Sequence, residues 1–177
     1  MVFSKGAQSP TTDPLTGLAN RRYFEAELQR EVIRSQGHQA QVCLLFIDID
    51  HFKKLNDDYG HSYGDEVLGR VGKVLLKETR DADTAARISG DEFAVILRRS
   101  DLREGVRIAE RLRLTIKAIG PITVRIGVAE FPLSAGSWNE LMGVAETAAF
   151  DARKRGGDRV SQALAKSEVD FSLVNKT

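Results

Sequence analysis

Cysteine is nearly absent. The single Cys43 rules out an internal disulfide, and its place inside an apolar run reads as core filler rather than nucleophile. Net charge is nearly absent too: a formal +1 gives no reason to expect nucleic acid or an anionic membrane as partner. No apolar run nears the ~20 residues of a membrane span, and the N-terminus lacks the apolar stretch of a secretory signal. Internal repeats and low-complexity stretches are missing as well. A cytoplasmic domain is expected, alone or as the cytoplasmic part of a larger, membrane-bound protein, with no membrane contact through this segment. What is there, 42% hydrophobic and 29% charged residues, suits a soluble chain able to bury one core.

The chain is organised around residues 85–97, A-A-R-I-S-G-D-E-F-A-V-I-L. Two apolar runs flank Ser89-Gly90-Asp91-Glu92, which predicts a tight hairpin with Gly90 supplying a positive φ. Residues 42–49, V-C-L-L-F-I-D-I, form the continuous apolar run of a central strand. It ends in Asp48-Ile49-Asp50, where alternation sets both carboxylates on one side. Apolar spacing predicts helices over 21–36, 64–77, 101–119 and 138–155, and further strands over 122–131 and 158–163. The sum is an α/β fold, an α+β sandwich with a mixed, mainly antiparallel sheet of about five strands flanked by helices. Residues 1–12 read as a tail or linker stub, 13–163 as the domain and 164–177 as a polar C-terminal tail.

Three sites stand out on spacing alone, each with a plain structural alternative. Neighbouring strands could bring Asp48 to the Asp91-Glu92 tip. Three carboxylates around one point repel unless a divalent cation neutralises them, which predicts Mg²⁺, or Mn²⁺; the alternative is a helix-capping Asp and a solvated acidic turn. Lys53, following the Asp-x-Asp, suits phosphate oxygens, so the reaction class would be phosphoryl or nucleotidyl transfer. Asn56 and Asp65 are spaced to sit on facing helical elements, where amide and carboxylate could read a base edge or merely cap helices. Arg80-Asp81-Ala82-Asp83, five residues before the hairpin motif, reads from its residues as a surface i,i+3 ion pair at a helix end.

Taken together, D-P-L-T-G-L-A-N-R-R, F-I-D-I-D-H-F-K-K-L-N-D-D-Y-G-H-S-Y-G-D, R-I-S-G-D-E-F, I-G-V-A and A-E-T-A-A-F-D-A-R-K-R-G-G-D-R-V occur in an order that resembles the GGDEF domains. These are diguanylate cyclases, which condense two GTP into cyclic di-GMP and release pyrophosphate. The resemblance spans about residues 13–160 and implies the palm-like sheet of nucleotidyl cyclases. It implies Asp48, the carbonyl of Ile49 and Glu92 as metal ligands, and Asp91 near the attacking 3′-hydroxyl. Asn56 and Asp65 would hold guanine. Lys53, Arg153 and the amides of His51 and Phe52 would hold phosphates, and His61, Ser89 and Gly90 would complete the substrate site. Arg80 and Asp83, with Arg111, would form an inhibitory site for the product.

The departures from the family pattern are Ser89 at the first glycine of the signature, and Glu146, Phe150, Arg153 and Asp158 where Asp, Tyr, Lys and Asn are more usual. Gly157 stands where a basic residue often helps with phosphates. The expectation is turnover that is reduced but not abolished. Each chain carries half a site, so catalysis demands a homodimer, and an upstream sensor or receiver domain would set the pairing. Two other readings compete with the enzyme. One is a catalytically silent receptor for cyclic di-GMP or GTP, and the other an interaction module with neither activity.

Overall fold

The structure is a computed structural model and describes residues 11–38 and 40–167. The apolar run of β2 (Val42–Ile49) forms the middle of a six-stranded sheet ordered β1-β3-β4-β2-β5-β6, with β1 (Ala19–Asn20), β3 (Thr84–Ser89), β4 (Glu92–Arg98), β5 (Val124–Phe131) and β6 (Arg159–Gln162). Strand β2 pairs antiparallel with both β4 and β5, and β3 pairs antiparallel with β4. The two edges, β1 on β3 and β6 on β5, are parallel. The sheet thus has six strands rather than about five. The extra one is the two-residue β1, too short to carry a period and placed in the sheet by its partner Ala86-Arg87.

Five helices cover the two faces. Helices α1 (Arg21–His38) and α5 (Trp138–Lys154) pack on one side, where Phe24, Leu28, Val32 and Ala145 meet Leu44, Phe46 and Ala129. Helices α2 (Phe52–Tyr59), α3 (His61–Glu78) and α4 (Leu102–Ala118) cover the other, where Leu68, Val71, Leu75, Leu112 and Ile116 meet Leu45, Ile47 and Val128. Each fully buried Leu, Ile or Phe contributes about 1.5–3 kcal/mol, which is why the apolar spacing of these helices dictates their orientation. Cys43 lies in this second layer with its side chain fully buried, and burial pushes its thiol pKa well up, with Glu130 and Asp101 adding to the shift.

Three local differences from the sequence expectation have physical causes. The helix expected from residue 64 starts at His61, behind a separate α2, because Gly60 (φ 86°) breaks the chain between them. Gly90 is not in the left-handed region, and a Cβ there would meet open space. The hairpin still turns at Gly90-Asp91, and the β3–β4 pairing carries a register shift between Arg87 and Ser89 just before it. Thr11 and Thr12, assigned to the N-terminal tail, belong to the folded unit: Asn20 N donates to Thr11 O at 2.9 Å and Thr12 bridges to Ala19. Lys166, assigned to the C-terminal tail, donates its N–H to Leu133 O at 3.1 Å. Residues 1–10 and 168–177, the rest of the two expected tails, lie outside the described residues.

Candidate active site

The sheet register builds a polar row where β2 ends. Glu92 on β4, Asp48 on β2, Arg125 on β5 and Arg159 on β6 are successive cross-strand partners. Directly opposed residues share a face, so the row places two carboxylates beside two guanidinium groups. Arg125, with a side chain only 9% exposed, forks to both acids: Nη2 bonds Asp48 Oδ2, and Nη1 bonds Asp50 Oδ1 at 2.9 Å. Asp50 Oδ2 accepts from Thr123 Oγ1 at 2.7 Å and from Asp158 N at 2.8 Å. Asp50 thereby ties the end of β2 to the approach to β5 and to the α5–β6 turn. Gly157 in that turn has φ 71°, and a Cβ there would lie 2.5 Å from Asp50 Oδ1.

Asp48 Oδ1 is left buried and without a partner. Burial pushes the Asp48 carboxyl up to about 7; Arg125 opposes the shift, and the neighbouring charges of Asp91 and Glu92 reinforce it. A carboxylate this dry, with an oxygen pointing at nothing, fits a cation. The expected gathering of Asp48, Asp91 and Glu92 around one point is not found: among the described residues no three His, Cys, Asp or Glu side chains converge to hold an ion. Arg125 draws Asp48 toward β5, while Ser89 Oγ bonds Glu92 Oε2 at the hairpin.

A cleft of about 460 Å³ opens beside the row. Asp50, Asp91 and Arg125 line it together with Lys53, Arg153 and the Gly156-Gly157 turn, and Ile49, His51 and Phe52 line it as well. His51 adopts the left-handed conformation (φ 56°) that turns the chain from β2 into α2. Lys53 is exposed, whereas its neighbour Lys54 is taken by Asp58 at 2.8 Å. On the far side of α2, Asn56 Oδ1 is buried without a partner, and Gly64 on α3 makes room for it: a Cβ there would sit 1.9 Å from that oxygen. His61 and Asp65 are exposed on the first turns of α3.

The Arg80–Asp83 turn lies elsewhere, on a second cleft of about 850 Å³ that Arg34, His38, Arg98 and Arg99 also line. Arg80 and Asp83 do not form the i,i+3 ion pair their spacing allowed. Asp83 accepts from the backbone N–H groups of Arg98 (3.1 Å) and Arg80 (3.2 Å), and the Arg80 side chain goes to Glu104 at 3.1 Å. Arg111 is held by Glu78 at 3.3 Å and does not line that cleft.

Sequence reasoning missed Arg125. Its signal was present, since Arg125 and Glu130 are the two charges in a strand whose eight residues are all buried, and a buried charge requires a partner. Arg34, Arg98 and Arg99 were missed because nothing in local spacing relates them to Arg80.

The strand-end cleft brings the carboxylates of Asp50 and Asp91 together with the cationic side chains of Lys53, Arg125 and Arg153. The family model described as "Diguanylate cyclase, GGDEF domain" matches residues 10–159. Diguanylate cyclase DgcP of Pseudomonas aeruginosa is 37% identical over 164 residues, covering 88% of this chain and 24% of that protein. Diguanylate cyclase VdcA of Vibrio cholerae is 38% identical over 159 residues, 84% of this chain and 45% of that protein. The GGDEF domain of DgcB from Caulobacter crescentus, solved in complex with c-di-GMP, superposes with a TM-score of 0.83 at 33% identity, covering 88% of this chain and 94% of that one. The chain belongs to the GGDEF family of diguanylate cyclase domains. It spans less than half the length of these curated relatives. Among the described residues no helix is long and apolar enough to cross a membrane.

Proposed function

We propose that this domain is a diguanylate cyclase. Two GTP, one on each protomer of a homodimer, are joined so that each 3′-oxygen attacks the α-phosphorus of the other nucleotide; two P–O bonds form and two pyrophosphates leave. The observation that carries the reading is the cleft lined by Asp50, Asp91, Arg125, Lys53 and Arg153, whose Arg125 is bonded to Asp48. Asp48 Oδ1, the Ile49 carbonyl and Glu92 would hold Mg²⁺ or Mn²⁺, and the partnerless Oδ1 fits that role. When bound, the cation offsets phosphate charge and orients the attack.

The chain's own residues would do the rest. Asp91 accepts the 3′-hydroxyl proton. Lys53, Arg153 and the His51 and Phe52 amides hold the departing pyrophosphate. Asn56 and Asp65 bond guanine, because a buried amide oxygen with no partner seeks a donor such as a purine N–H, and a base that leaves it unpaired is rejected. His61, Ser89 and Gly90 border the nucleotide. Arg80 and Asp83, with Arg111 nearby, would bind the product and inhibit, and an upstream sensor or receiver domain would control pairing.

A second reading, a receptor that binds cyclic di-GMP without turnover, draws support from the Arg-lined cleft around Arg80, which is independent of the active site. The test is incubation of concentrated protein with GTP and Mg²⁺, with nucleotides resolved by chromatography. Cyclic di-GMP formed at a rate rising faster than protein concentration supports the cyclase. No turnover, with cyclic di-GMP released from denatured protein, supports the receptor.

A further inference from the structure

Three consecutive residues, Gly156, Gly157 and Asp158, hold positive φ angles of 103°, 71° and 43° in the turn that leads from α5 into β6. Glycine adopts this region freely, whereas an L residue there is uncommon and is kept in place by its surroundings. At Asp158 those surroundings come from α4. Arg113 Nη1 reaches Asp158 Oδ1 and Lys117 Nζ reaches Oδ2, each at 2.6 Å. The two cations stand one helical turn apart and so present to the same side, and Glu110 steadies Arg113 at 2.8 Å. Leu112 and Ile116 of the same helix are fully buried, so the clamp is mounted on a rigid element.

While its carboxylate is held by α4, Asp158 donates its backbone N–H to Asp50 Oδ2 at 2.8 Å. Asp50 accepts in turn from Arg125 Nη1 at 2.9 Å, and both side chains line the active-site cleft with Arg153 and the Gly156-Gly157 turn. Arg113, Lys117 and Asp158 themselves do not line it. Three charged side chains outside the cleft thus brace the part of its wall that carries Arg125 and Arg153. Resting on the cyclase reading, we infer that Asp158, clamped by Arg113 and Lys117, is a positioning residue for the phosphate end of the nucleotide. It acts through Asp50 and the glycine turn, which set where the Arg125 guanidinium stands against the phosphates.

The test opens the clamp from each side in the whole chain, by Asp158→Asn and by Arg113→Gln with Lys117→Gln. Both keep side-chain length, and Asn tolerates the left-handed backbone as Asp does. Calorimetric titration with guanosine α,β-methylene triphosphate and Mg²⁺ reads binding, and GTP turnover gives KM and kcat. Each variant should weaken the analogue and raise KM roughly three- to tenfold, with kcat within about twofold, and combining them should add little. The sign is diagnostic. A change in overall field alone would weaken the anion when the two cations are lost but strengthen it when the Asp158 charge is lost. Opposite shifts, unchanged affinity in a folded variant, or a fall in kcat at constant KM overturns the inference, and if one variant does not fold the other decides. A native chain that binds the analogue but makes no cyclic di-GMP defeats the cyclase reading, while the affinity shifts still decide the clamp. If the analogue does not bind at all, both fail.

Discussion

Replacing Asn56 with Leu should move stability and nucleotide binding in opposite directions. Asn56 Oδ1 is buried and makes no hydrogen bond, and leaving such a group unsatisfied costs about 1–3 kcal/mol. Leucine has the same branched skeleton with bulkier ends, and Gly64 gives one branch the place now taken by the amide oxygen, since a Cβ there would lie 1.9 Å from it. Removing the orphan should recover a good part of that cost. For a domain of this size each kcal/mol shifts the thermal midpoint by about 2–4 °C, so a rise of roughly 2–10 °C is expected without nucleotide. The same change deletes the acceptor assigned to guanine, and loss of one buried hydrogen bond worth about 1.4 kcal/mol weakens GTP tenfold. Thermal melts with and without GTP, alongside calorimetric titration of a GTP analogue, read both effects. A midpoint that falls while GTP affinity holds would refute both the orphaned oxygen and the guanine assignment.

Gly157→Ala and Gly90→Ala separate two glycines that look alike in sequence. The first combines a left-handed φ with a clash against Asp50 and should lose about 1–3 kcal/mol in urea melts together with most turnover, whereas the second should stay within about 0.5 kcal/mol. Arg98→Ala removes one of two guanidinium partners from Glu27 and from Glu31, buried acids of α1 that Arg98 binds at 2.9 Å each and that keep Arg30 and Arg34, and a loss of about 1.5–3 kcal/mol is expected by chemical denaturation; a loss under about 0.5 kcal/mol would discard the pairing. Asp158 is held below the ordinary carboxylate range by hydrogen bonds from Lys117 and then Arg113, against the opposing effect of burial. A lowered folded pKa gives stability that is present above the unfolded value of about 3.9 and lost as pH falls through the folded one. Asp158→Asn should therefore flatten the fall in stability below about pH 4 while leaving the curve near neutrality parallel to that of the parent. An unchanged acid limb would reject the contribution.

The sequence alone determined whatever depends on neighbours in the chain. The apolar run of β2, seven of its eight residues, had to be a central strand, and helical spacing of Phe24, Leu28 and Val32 had to face a core. The D-I-D-H-F-K-K and S-G-D-E-F blocks declared both the family and the positions at which metal and phosphate chemistry is expected. The tertiary structure decided what depends on register and on charge pairing between distant segments. Only the pairing of β2 with β5 sets Arg125 opposite Asp48, 77 residues away, and so turns an expected ring of carboxylates into a fork with one oxygen left over. Only the packing of α3 on α2 leaves the Asn56 oxygen dry, and only the approach of β4 to the Arg80 turn commits Asp83 to the Arg98 amide rather than to Arg80's side chain. Local periodicity encodes burial, because burial is a one-dimensional pattern along a helix or strand. Which charge meets which is fixed by three-dimensional register, and that pattern is written in no single stretch of the chain.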